Sequence, residues 1–131
     1  MSPTVFALPD NESITEQLIA DLAATRGEIE TRHFPDGESY VRLMTDVAQR
    51  DVVVVCTLDR PDAKLLPLVF AGATVKELGA KRVGLIAPYL AYMRQDKRFH
   101  PGEALTSRIF ARLLSSTFDW LVTVDPHLHR F

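Results

Sequence analysis

The sequence predicts an α/β domain, a mostly parallel sheet flanked by helices. Three observations carry that prediction. "DVVVVCT" (51–57) and "RVGLIAP" (82–88) are near-continuous apolar runs of strand length, which suits strands covered on both faces. The segments between and around such runs show helical spacing instead. A chain of 131 residues with 47% hydrophobic and 24% charged residues is long enough and apolar enough to bury one core.

The elements follow in order. "TVFAL" (4–8) is a short strand, and Pro9, Asp10 and Asn11 mark a turn after it. Ile14, Leu18, Ile19 and Leu22 then recur at helical spacing, with Asn11 or Ser13 available as a cap. "EIETRHF" and "SYVRL" are strand-like and flank Pro35-Asp36-Gly37-Glu38, a hairpin signal. After the first apolar run, Pro61 to Leu78 reads as a helix that Pro67 should kink or shorten, with Gly79 at its end. A polar loop follows the second run. Thr106 can then cap a helix carrying Ile109, Phe110, Leu113 and Leu114, and "WLVTVDP" (120–126) is the last strand. A parallel unit that reaches a strand and then stops suggests the amino-terminal part of a longer enzyme, so residues 1–131 are expected to be one of its two domains.

Charge and composition narrow the function. A net charge of −2 gives no general attraction to nucleic acid or to an anionic membrane, so an anion site must be local. The single cysteine, Cys56, lies in an apolar run and reads as a small buried hydrophobe; no internal disulfide is possible, which fits a reducing compartment. The first residues lack the basic and apolar pattern of a leader, and no run approaches the ~18 apolar residues of a membrane helix. These features predict a cytoplasmic protein.

Ligands of parallel sheets sit outside the carboxyl ends of strands. That rule selects the loops after Thr57, after Ala87 and after Val124. The second contains "YMRQDKRFHPGE" (92–103). Arg94 and Arg98 offer planar forks suited to phosphate, Lys97 a point charge, and Gln95 a group able to read a base or ribose. There is no glycine-rich phosphate cradle, so a nucleotide here would be held by side chains. In "FPDGE" (34–38), Phe34 could stack on a base while Asp36 and Glu38 accept from an amino group or ribose hydroxyl. In "DPHLHR" (125–130), Asp125, His127 and His129 alternate, which puts them on one side of an extended chain. Such a set can hold Mg²⁺ or a transition metal. Lys64, Lys76, Lys81 and Arg82 read as solvated element ends, Arg108 and Arg112 as a solvent face, and Phe118 and Trp120 as core.

"FPDGE", "PYLAYMRQDKRF" and "VDPHLH", in this order, resemble the amino-terminal half of ribose-phosphate pyrophosphokinase, also called phosphoribosyl pyrophosphate synthetase. Residues 88 to 96 match the family loop P-Y-x-x-Y-x-R-Q-D. The resemblance implies a phosphoribosyltransferase-like amino-terminal domain with a β-hairpin around Pro35–Gly37. It implies transfer of diphosphate from Mg-ATP to the C1 hydroxyl of ribose 5-phosphate, giving phosphoribosyl pyrophosphate and AMP for nucleotide biosynthesis. Phe34, Asp36, Gly37 and Glu38 would belong to an ATP-binding hairpin that reaches a neighbouring subunit's site in a homo-oligomer. Arg94, Gln95 and Asp96 would bind ATP, and His127 with Asp125 the Mg²⁺. The family often has D-L-H where this chain has D-P-H and a second histidine, His129. The ribose 5-phosphate loop and the catalytic loop belong to the family's carboxy-terminal half, so the chain alone is expected to bind ATP weakly and not to turn over. Two other readings stand beside this one: a non-catalytic regulatory subunit of such a synthetase, and an unrelated nucleotide-binding α/β module.

Overall fold

The computed structural model describes residues 2–125, without the side chains of Val124 and Asp125. Its elements run β1 (Thr4–Ala7), α1 (Glu12–Leu22), β2 (Thr25–Arg26), β3 (Ile29–His33), β4 (Ser39–Leu43), β5 (Asp51–Val55), α2 (Asp62–Glu77), β6 (Arg82–Tyr89), α3 (Thr106–Thr117) and β7 (Trp120–Asp125). Five strands form one parallel sheet in the order β2-β1-β5-β6-β7. β3 and β4 form a separate antiparallel hairpin, with Ile29 opposite Leu43 and His33 opposite Ser39.

The period of two along β5 explains the layers. Val52 and Val54 join a large core with Phe6, Leu68, Val75, Val83, Leu85, Phe110 and Leu114. Val53 and Val55 face the other way, into a smaller cluster with Val5, Ile14, Leu18 and Ile19. So α2 and α3 cover one face, where Ile29 and Leu43 of the hairpin also pack, and α1 covers the other. Burying each of these large aliphatic side chains is worth about 1.5–3 kcal/mol. The chain leaves β1 toward β2 on one side and then crosses to β5 on the other, so β1 and β5 form the topological switch of the sheet.

Two helix-cap expectations need correcting, and α2 is not shortened at its proline. α2 runs unbroken from Asp62 to Glu77 through Pro67. Proline there denies a hydrogen bond to the Ala63 carbonyl. Ala63 and Pro67 both line a cavity, which gives the ring and that carbonyl room. Asn11 is the residue before α1 but makes no side-chain cap, and Ser13 lies within the helix. The Asn11 side chain is used across the fold: its Oδ1 accepts from the Thr57 amide at 2.8 Å, and its Nδ2 donates to the Leu8 and Pro9 carbonyls. Thr106 is the first residue of α3 rather than its cap; Leu105 precedes the helix, and its carbonyl accepts from the Arg108 and Ile109 amides. Gly79 does close α2, at φ 96° with its amide on the Lys76 carbonyl. No helix among the described residues is long and apolar enough to cross a membrane.

Candidate functional site

A groove of about 940 Å³ lies at the carboxyl ends of β5 and β6. One wall is the turn into α2, Asp59 to Ala63. The other is Tyr89 and the segment Ala91 to Asp96, with Thr106 at the start of α3 beside it. Two of the three loops singled out by strand polarity thus meet here. Arg94, Gln95 and Asp96 stand together on one wall, as the sequence suggested.

The polar loop is tied to itself at one point. Oε1 of Glu103 accepts from the Phe99 amide at 2.8 Å, the His100 amide at 2.8 Å and Nε2 of Gln95 at 3.2 Å. The two backbone donors, His100 first, hold the Glu103 carboxyl below its ordinary range. Nε2 of Gln95 also donates to the Lys97 carbonyl, so its amide nitrogen is spent and its carbonyl oxygen is left to accept. Arg98 donates to the Glu103 carbonyl rather than standing free.

Just beyond the facing wall, Lys64 is a correction. It is not a solvated helix end: its side chain is mostly covered and its ammonium donates to the Thr57 carbonyl and to Asp59. That bond to Lys64 holds the Asp59 carboxyl below its ordinary value. Asp62 accepts from the Tyr92 hydroxyl across the groove. Arg60 and Arg94, by contrast, make no side-chain hydrogen bond or ion pair among the described residues, though the charge of Arg60 also helps to lower the Asp59 carboxyl, and both line the groove. Asp59, Arg60, Asp62 and Lys64 escaped sequence reasoning because the turn after Thr57 carries no motif. Only the strand-polarity rule pointed to it.

A second cavity, about 290 Å³, lies at the switch between β1 and β5. Leu8, Pro9 and Asp10 line it beside Cys56, Lys64 and the half of the hairpin nearer its turn, Thr31, Arg32, His33 and Tyr40. Cys56 is buried, as expected, and burial pushes its thiol up to about 11.

The hairpin tip stands apart. Phe34, Asp36, Gly37 and Glu38 are all exposed and none lines the groove of the same chain. Gly37 takes φ 94° in the turn, and Asp36 folds an oxygen back onto the Glu38 amide at 3.0 Å. The Arg32 guanidinium lies 4.2 Å from the Tyr40 ring centre and 5.3 Å from that of Phe34, which stiffens the stalk. Asp125 ends β7 in register with Tyr89 of the groove wall, while His127 and His129 lie outside the described residues. Among the described residues no three metal-ligating side chains converge, so they form no closed cage. Single groove carboxylates such as Asp96 suit a magnesium ion that keeps its waters and arrives on substrate phosphates.

Comparison with known proteins agrees with this frame. Residues 3–117 match the family model for the N-terminal domain of ribose phosphate pyrophosphokinase. The ribose-phosphate pyrophosphokinase of Saccharolobus solfataricus is 40% identical over 116 residues, 87% of this chain and 40% of that protein. That of Methanopyrus kandleri is 38% identical over 124 residues, 94% of this chain and 42% of that protein. The crystal structure of phosphoribosylpyrophosphate synthetase from Mycobacterium smegmatis superposes with a TM-score of 0.85 at 26% identity, covering 94% of this chain and 42% of that one. The chain therefore spans about two fifths of the length of these relatives.

Proposed function

The chain belongs to the ribose-phosphate pyrophosphokinase family through its amino-terminal domain, and from that premise we propose that its groove grips the phosphates of Mg-ATP for diphosphate transfer. The acceptor is ribose 5-phosphate, and the transfer belongs to the complete gene product, of which this chain is the nucleotide-binding domain. One observation carries the reading: Arg60 and Arg94 line the same groove and make no side-chain hydrogen bond or ion pair among the described residues. A polyphosphate supplies what these two guanidiniums lack, an oxygen-rich anion able to take bidentate hydrogen bonds.

The chemistry asks little covalent work of the protein. The C1 hydroxyl of the sugar attacks the β-phosphorus, the bond between the α,β-bridging oxygen and the β-phosphorus breaks, and AMP leaves with the electron pair. The hydroxyl proton passes to solvent. Catalysis of such a step comes from alignment and from neutralising charge on the phosphoryl oxygens. Arg94 and Arg60 would supply charge. Gln95, with its amide nitrogen held by Glu103 and the Lys97 carbonyl, would accept from a ribose hydroxyl or the adenine amino group. Magnesium would enter with the nucleotide and neutralise its phosphates, with Asp96, Asp125 and His127 as the side chains to hold it. Phe34, Asp36, Gly37 and Glu38 face solvent, away from the groove, which suits use of the hairpin tip at the groove of a second copy.

Titration calorimetry with Mg-ATP on this chain tests the binding half. Arg94→Ala should cost about 1.5–3 kcal/mol, the scale of a hydrogen bond to a charged group. Unchanged affinity would remove the nucleotide from this groove. AMP release from ATP by the complete gene product tests the reaction, and release that does not depend on ribose 5-phosphate would overturn it.

A further inference from the structure

Tyr92 stands in left-handed backbone, φ 61°, where β6 hands over to the cationic segment. A bulky residue there is uncommon and needs a reason. Its side chain supplies one. The ring packs obliquely on Phe110 of α3, with centroids 4.9 Å apart and planes at 52°. The hydroxyl donates to the Asp62 carboxylate in the first turn of α2. Asp62 belongs to one wall of the groove, and Tyr92 leads directly into Met93, Arg94, Gln95 and Asp96 on the other. The far end of that segment is also pinned: the Gln95 carbonyl accepts from the Ser107 amide at 3.3 Å, and its side chain is held by Glu103.

We propose that Tyr92 is a positioning residue, whose hydroxyl bond to Asp62 fixes the spacing of the two walls so that Arg94 and Arg60 grip one polyphosphate. The inference rests on the nucleotide reading of the groove. Among the described residues Arg94 makes no side-chain hydrogen bond or ion pair, so the backbone on either side decides where its guanidinium can reach. Tyr92 sets that backbone from one side, through a conformation the aromatic packing and the hydroxyl bond hold jointly. Asp62 is exposed, so losing the bond returns its carboxylate to water and costs the fold little.

The test compares Tyr92→Phe, Arg94→Ala, their double variant, Asp62→Asn and Asp62→Ala, each read by Mg-ATP calorimetry, melting temperature and amide hydrogen exchange without nucleotide. Tyr92→Phe should weaken Mg-ATP about tenfold, the scale of one hydrogen bond to a charged group. It should lower the melting temperature by no more than about 2 °C, as exposed changes do. The double variant should bind no worse than Arg94→Ala, because the tyrosine acts through the arginine. Asp62→Asn keeps an acceptor and should keep most of the affinity, whereas Asp62→Ala should match Tyr92→Phe. Exchange at Met93 to Asp96 should speed up in Tyr92→Phe with no ligand present. Full additivity, wild-type affinity in Tyr92→Phe, or unchanged exchange in that segment would each overturn the latch. Absence of Mg-ATP binding to the unaltered chain would instead strike the nucleotide reading, and the exchange measurement would still decide the latch.

Discussion

Gly84→Ala should destabilise the sheet by about 2–3 kcal/mol. Gly84 lies on β6 in register with Trp120 of β7. A methyl group built there would fall 1.8, 2.0 and 2.3 Å from Cε2, Cζ2 and Cδ2 of the indole. Carbon atoms settle near ~3.5–4.0 Å, so the ring must retreat by roughly 1.5–2 Å, and an indole does not bend. If the ring leaves, the loss is hydrophobic. Trp120 is half-buried against the α1-side cluster, so about 100 Å² of apolar surface at ~25 cal/mol/Å² gives about 2.5 kcal/mol. If the ring stays, β7 or β6 strains, and overpacking of this kind costs about 1–3 kcal/mol. Both routes give the same scale, which corresponds to a fall of roughly 6–12 °C in melting temperature for a chain of this size. Calorimetry reads the fall. Emission reads the mechanism, because the chain has a single tryptophan, and it should shift to the red. Trp120→Val in the Gly84→Ala background should recover stability relative to Gly84→Ala alone. A loss under about 2 °C with unmoved emission would refute the packing argument.

Asn11→Ala should cost about 2–3 kcal/mol by urea titration, because Asn11 is buried and the Thr57 amide would lose its partner. Glu103 makes the polar loop sensitive to acid. Its folded pKa lies below the ordinary 4.5, so its contribution is complete above about that pH and is lost as pH falls through the lower, folded value. The Phe99 and His100 amide shifts should therefore titrate with a midpoint under 4.5, and Glu103→Gln should abolish that titration. Cys56, with its thiol near 11, should resist iodoacetamide at neutral pH until the chain unfolds; alkylation as fast as in urea would contradict the burial.

The strands and their polarity were legible because valines and isoleucines in short runs admit few other structures. Val52 to Val55 read as doubly covered, and they are. The hairpin was legible from Asp36-Gly37, whose φ 94° only glycine takes cheaply. What failed was anything decided by a distant partner. Asn11 looked like a helix cap by local rules, yet Thr57, 46 residues away, takes its oxygen. Lys64 looked solvated by charge, yet the Thr57 carbonyl and Asp59 draw it under the sheet edge. Pro67 looked able to shorten its helix, yet α2 continues through it beside a cavity that it lines with Ala63. At the site, Arg94, Gln95 and Asp96 stood out by composition, while Asp59, Arg60 and Asp62 joined them only through the crossover of the sheet.

Those missed residues resolve how a chain of net charge −2 can present an anion site without a glycine cradle. Long-range charge gives no attraction here, so the effect has to arise within a few ångströms. Of the five charged side chains that line the groove, Asp59 is engaged by Lys64 and Asp62 by Tyr92. Glu103, nearby, is occupied by backbone amides. The carboxylates Asp59, Asp62 and Glu103 are thus hydrogen-bonded within the loops, while Arg60 and Arg94 make no side-chain hydrogen bond or ion pair among the described residues. Asp96 is the one groove carboxylate with no side-chain partner among the described residues, and a lone carboxylate in one groove with two guanidiniums that make no ion pair suits a magnesium polyphosphate better than a bare anion. Local pairing of groups, rather than net charge or a phosphate-binding motif, leaves the Arg60 and Arg94 guanidiniums open to an anion.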